Sequence, residues 1–227
     1  MMSRKRSVFL SSAAIIAPLI LAPTTATAAF DPGIVINASA QLDTSAPTSG
    51  SPSQSATLSL TSGGAPVTPT TYDGTTVSGN NPLQGTLTDI GDSIGISLSA
   101  DGAEGDESLF FGEFLLDLTN TTGTDYKVFL GFTTTNSVVL PGGVVGDDAF
   151  GINEFYMEDE DTGEELNFSY RELDLFNDVD DASASVPSNY IVVVEDGQTV
   201  FLYGLNIMSA GAFDPGTTFD VDLATTI

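Results

Sequence analysis

The chain has 227 residues with 31 acidic and 5 basic side chains, a net charge of −26, and no His, Cys or Trp. That composition excludes histidine triads, cysteine nucleophiles, disulfide staples and soft-metal centres, and it leaves too little positive charge to neutralise a phosphate backbone. Nucleic acid is therefore excluded as a partner, and anionic lipid surfaces are disfavoured.

The first element is a leader. Arg4, Lys5 and Arg6 precede an apolar run from Val8 to Leu21, which ends in Ala26-Thr27-Ala28. A basic start, a short apolar stretch and small residues before the cut are the pattern of a secretory signal peptide, and the run falls short of the roughly 20 residues that span a bilayer. Cleavage after Ala28 would leave 199 residues, all 31 acids and two cations, Lys127 and Arg171, a charge of −29. Secretion to the extracellular space or periplasm follows, with no integral membrane segment after cleavage.

Residues 29–53 read as an N-terminal strand and a flexible linker. Ile34-Val35-Ile36-Asn37-Ala38-Ser39-Ala40 is β-prone, whereas Gln41 to Gln54 is rich in Ser, Thr, Pro and Gly. Residues 34–40 form either the first strand of their own sheet or, carried on that linker, a strand added to a neighbouring copy, which would make them a route to self-assembly.

Residues 54–227 read as one domain. Ala56, Leu58 and Leu60 alternate with Thr57, Ser59 and Thr61, and Ile94, Ile96 and Leu98 alternate with Ser93, Gly95 and Ser97. Such period-two patterns are half-buried strands. Phe110, Phe114, Leu116 and Leu118 share a face with Gly112, while the other face carries Glu113 and Asp117 but also Phe111 and Leu115, so this strand is expected to be central. After a turn at Asn120-Thr121-Thr122-Gly123, Tyr126, Val128, Leu130 and Phe132 continue the alternation as its expected antiparallel partner. Further strands fit 150–158, 165–172, 190–195, 199–207 and 217–223, with a hairpin turn at Asp161-Thr162-Gly163. Arg171 shares a face with Asn167 and Ser169, opposite Leu166, Phe168 and Tyr170, and that face is assigned to solvent or an edge. The fold class is all-β, an antiparallel two-sheet β-sandwich, with a partly closed barrel as the variant.

The acids cluster, and calcium is the ion that irregular oxygen-rich loops suit. Asp101, Glu104, Asp106 and Glu107 form one candidate set, and Asp174, Asp178, Asp180 and Asp181 form a second. None of the acidic runs has the ligand spacing of an EF-hand loop, and a solvated anionic surface suited to a salty habitat accounts for the same residues. The expected function is that of a secreted structural or adhesive component of the cell exterior, part of a surface, matrix or filament, with no catalytic role. The alternatives are a calcium-dependent binding module and a glycoside hydrolase working through two carboxylates.

Overall fold

Alternating inward and outward side chains dominate the computed structural model, which describes residues 28–45, 48–184 and 189–227. Apart from Ala28, the expected leader lies outside the described residues. Among the described residues, seventeen strands follow in chain order. They are β1 (Ile34–Asp43), β2 (Thr48–Ser49), β3 (Ser53–Ser62), β4 (Ala65–Pro66), β5 (Thr70–Tyr72) and β6 (Val77–Ser78). Next come β7 (Leu83–Leu87), β8 (Ser93–Ala103), β9 (Asp106–Asn120), β10 (Tyr126–Gly131), β11 (Thr133–Val139) and β12 (Ala149–Asp159). The last five are β13 (Glu165–Asp174), β14 (Val179–Ala184), β15 (Asn189–Val194), β16 (Thr199–Ala212) and β17 (Thr218–Thr226). No helix among the described residues is long and apolar enough to cross a membrane.

The strands make a β-sandwich of antiparallel sheets. The larger sheet runs β14-β13-β12-β16-β9-β1-β7, with β2 also on β9, and the smaller runs β11-β17-β8-β3-β5-β6, with β4 on β3. Neither closes into a barrel. One buried cluster joins them: Ile36, Phe110, Phe114 and Leu116 from the larger sheet meet Leu58, Ile96, Leu98 and Val221 from the smaller. Each such side chain contributes roughly 1.5–3 kcal/mol by leaving water, which replaces the staples that a cysteine-free chain lacks.

β9 is central as expected, paired with β16 on one side and β1 on the other. Both its edges are thus taken, and the strand after it goes elsewhere. The Asn120 side chain turns the chain out of the sheet, donating to the carbonyls of Thr124 (2.8 Å) and Val194 (2.7 Å) while its oxygen accepts from Thr122 N–H (2.9 Å). β10 consequently pairs with β15 in a separate two-stranded ribbon, which tucks Val128, Leu130, Val192 and Val194 against the core. The expected pairing of β10 with β9 is not formed.

Residues 34–40 lie inside their own sheet, bonded along their length to β9 and, over Ile36–Ala40, to β7 on the other side. The expected linker is largely ladder at its ends. Gln41–Asp43 prolong β1, Thr48–Ser49 pair with β9, and Ser53 and Gln54 open β3, because Leu42 and the Gln54 amide carry burial that the polar composition hid.

Candidate functional site

The two outer faces of the sandwich differ in chemistry. On the smaller sheet, outward positions carry Ser53, Ser55 and Ser59 of β3, Ser97, Ser99 and Asp101 of β8, and Asp220 and Asp222 of β17. These small polar side chains are what water prefers. The larger sheet instead turns aromatic and aliphatic side chains outward.

Register builds that face row by row. Phe168, Tyr156, Leu205 and Glu113 lie abreast on β13, β12, β16 and β9. Beside them run Tyr170, Glu154, Ile207 and Phe111, and on the other side Glu158, Tyr203 and Leu115. Phe201 and Asp117 complete the surface. Rows on one strand face stand about 7 Å apart and strands about 4.8 Å apart, so the patch is roughly 20 Å in each direction. Leu115 and Phe201 are 44% and 41% exposed, and the rest are half-buried by one another. Tyr156 and Tyr203 meet edge to face at 6.3 Å, and Phe168 stacks on Tyr170 at 6.3 Å and 10°.

The carboxylates are set among these rings. Glu172 accepts a hydrogen bond from the Tyr170 hydroxyl (2.5 Å). Glu113, Asp117, Glu154 and Glu158 are half-buried and have no hydrogen-bond or ion-pair partner among the described residues. Their field reaches the phenols. Burial and then the charge of Glu113 push the Tyr203 hydroxyl up to about 12, and burial, the Glu172 hydrogen bond and the Glu172 charge push Tyr170 up to about 12. Tyr156 is raised by burial and then by Glu158, Glu154 and Glu113. Neither cation among the described residues shares this face, because Arg171 points inward on β13 and Lys127 lies on the ribbon.

β13 is inverted relative to the sequence-based assignment. Asn167, Ser169 and Arg171 sit opposite Met157, Phe155 and Asn153, all of which face the interior, so the polar side of β13 is the inward one. The interior it enters is polar, with one long contact to β13 itself. Asn153 donates to the carbonyls of Ser137 and Asp222 (both 2.9 Å), and Asn136 reaches the Ser169 hydroxyl at 3.5 Å. Arg171 is held half-buried by Asp180 of β14.

The calcium candidates are spread over turns and edges. Asp101 is an exposed outward residue of β8, and Glu104 and Glu107 are exposed at and beside the β8–β9 turn. Asp106 accepts from Ala103 N–H (2.9 Å) and Ser51 N–H (2.7 Å), and these backbone bonds hold its carboxyl below the usual range. Asp174 accepts from the backbone (3.0 Å) and side chain (2.7 Å) of Asn177, again with a lowered pKa, led by the backbone bond. Asp178 sits at φ 56° in the β13–β14 turn, Asp180 pairs with Arg171, and Asp181 is exposed on β14. No group of three or more carboxylates among the described residues converges in a way that could hold a metal ion. These acids shape turns and blunt an edge strand.

No family model matches the chain. No curated protein matches it either. Among solved structures, a chain in the structure of infectious bursal disease virus Gx strain aligns at 12% identity over 85% of this chain, with a TM-score of 0.17. The alignment spans 55% of the length of that chain, and at this TM-score it carries no weight for fold or function.

Proposed function

We propose that the protein is a secreted structural or adhesive component of the cell exterior, without a catalytic role, and that the outer face of the larger sheet is the surface by which it is held in place. The observation that supports this reading is the contrast between the two outer faces. Exposing Leu115, Phe201 and a field of half-buried rings costs solvation that the smaller sheet, with its Ser and Asp, avoids. An apolar surface that exceeds a few hundred Å² on a secreted chain is the mark of an interaction site. A flat sheet face suits an extended contact rather than a reaction cleft, and its four unpartnered carboxylates favour a partner that brings cations or hydrogen-bond donors.

The leader directs the protein outward, and its strong negative charge keeps unassembled copies soluble until they are placed. The test is fractionation of the producing cells for the wild type and for Tyr203→Ser/Leu205→Ser. The double variant is expected to move from the cell-bound to the free fraction while still unfolding in one cooperative transition above the growth temperature. An unaltered distribution would refute the role given to this face.

A further inference from the structure

The ribbon β10–β15 presents a second unpartnered apolar face. Val128, Leu130, Val192 and Val194 point into the core, so the alternate residues Lys127, Phe129, Ile191 and Val193 point out. Phe129 is 72% exposed, and Ile191 and Val193 are 47% and 51% exposed. They are neighbours by register, with Lys127 across from Val193 and Phe129 across from Ile191. Lys127 has no carboxylate within ion-pair distance, since the one salt bridge among the described residues is Arg171–Asp180.

From these complementary features we infer that the occupant of the larger sheet's outer face is the β10–β15 ribbon of a second copy of this chain. The inference rests on reading that face as a contact surface. One face holds carboxylates between aromatic rings and neither of the two described cations, and the other carries Lys127, the single unpaired cation among the described residues, between apolar side chains. Lys127 would enter among Glu113, Glu154 and Glu158, where the charges attract and the Tyr156 and Tyr203 rings offer π faces to the ammonium. Phe129, Ile191 and Val193 would cover Leu205, Ile207 and Tyr156. A ribbon two strands wide covers only about half of a face four strands wide, so the outlying Glu172 and Asp117 keep their water and escape the penalty of burying an unpaired charge.

Two different surfaces meeting head to tail give an open-ended assembly rather than a closed dimer. Each contact is small, a few hundred Å² per partner, and belongs to the weak class that needs high local concentration. Charge sets the conditions. Copies with a large charge of one sign repel at low ionic strength, and 1 M salt shortens the screening length to about 3 Å, so assembly should begin only as salt rises.

The absence of cysteine makes thiols a clean probe. Phe129→Cys and Leu205→Cys are made as separate proteins, with Ser55→Cys on the smaller sheet as a background control. Mixed under mild oxidation in 1 M NaCl, the first two are expected to form a disulfide-linked pair in preference to either protein with itself or with the control, and Lys127→Glu should raise the concentration needed by about tenfold. A species that stays monomeric at all salt concentrations, or cross-links that favour like with like, would overturn the inference. Loss of cell attachment on face substitution without any ribbon-to-face cross-link would show that the face holds another partner, leaving its adhesive role intact. A midpoint unchanged from wild type in each variant excludes misfolding as the cause.

Discussion

Replacing Asp92 with Asn should cost about 2 kcal/mol. The Asp92 carboxylate collects four backbone N–H groups from two turns: Gly63 (2.8 Å), Thr88 (2.8 Å) and Asp89 (2.9 Å) on one oxygen and Gly64 (2.9 Å) on the other. It thereby ties the β3–β4 turn to the segment between β7 and β8. Bonds to a charged acceptor are worth ~1.5–3 kcal/mol against ~0.5–1.5 for a neutral one, and four weakened bonds, roughly halved for solvent access at a turn, leave about 2 kcal/mol. The pH dependence has a definite sign. Burial would raise the Asp92 pKa, but the four N–H donors, led by Gly64 and Thr88, outweigh it and lower it. A carboxyl lowered on folding contributes stability above its unfolded pKa near 4, and that contribution is lost as pH falls through the folded value. Urea unfolding of wild type and variant from pH 7 to pH 2.5 should therefore show a gap of about 2 kcal/mol near neutrality that closes in acid. The difference between the two proteins cancels the general relief of charge repulsion on acidification. A gap below 0.5 kcal/mol at pH 7, or one that widens in acid, would refute the reasoning.

Phe155 is fully buried between Phe114 and Phe132, with centroids at 6.2 and 6.3 Å, so Phe155→Ala should lose roughly 3–5 kcal/mol in denaturant titration. Gly112→Ala places a Cβ 2.8 Å from the Ile96 Cγ2 in a filled interior and should cost about 1–3 kcal/mol, whereas Ser55→Ala on the open face should be close to neutral. Spectrophotometric titration should find the slowest phenols near pH 12, and Glu113→Gln should bring the Tyr203 transition down. Because those phenols are raised on folding, their contribution to stability is present below about pH 10 and is lost as pH climbs toward the folded values.

Much of the fold was legible because period-two alternation is a local signal. Ala56, Leu58 and Leu60, and Phe110, Phe114, Leu116 and Leu118, all point inward as their spacing requires. Pairing partners are nonlocal, and there the reading failed. Nothing near Tyr126 announces that β16 and β1 occupy both sides of β9, or that the Asn120 amide bends the chain away. The contact face escaped for a related reason. β13 has a polar side and an apolar side, and the ordinary rule turns the polar one to water. Here Asn136 meets Ser169 inside, Arg171 is held by Asp180, and Phe168 and Tyr170 go out. A hint lay in β9 and β16, where Phe111, Leu115, Tyr203, Leu205 and Ile207 make both faces apolar. Such a strand can be covered on both sides within its own chain, or it can await a partner. The acidic clusters are ambiguous for a different reason, since short-range turn chemistry at Asp106 and Asp174 demands the same residues as an ion site.

The most direct test of the larger sheet's outer face as the contact surface is tyrosine footprinting in place. Cells carrying the protein and the purified protein are treated with the same short-lived oxidant, and modification is quantified by mass spectrometry. Tyr156, Tyr170 and Tyr203 lie on the face, and Tyr72, which packs against Phe110, serves as the internal reference. The predicted result is that Tyr156 and Tyr203, at the centre of the face, are protected on the cell relative to the free protein while Tyr72 is unchanged. Equal modification of Tyr156 and Tyr203 in both states would contradict the proposed role of this face.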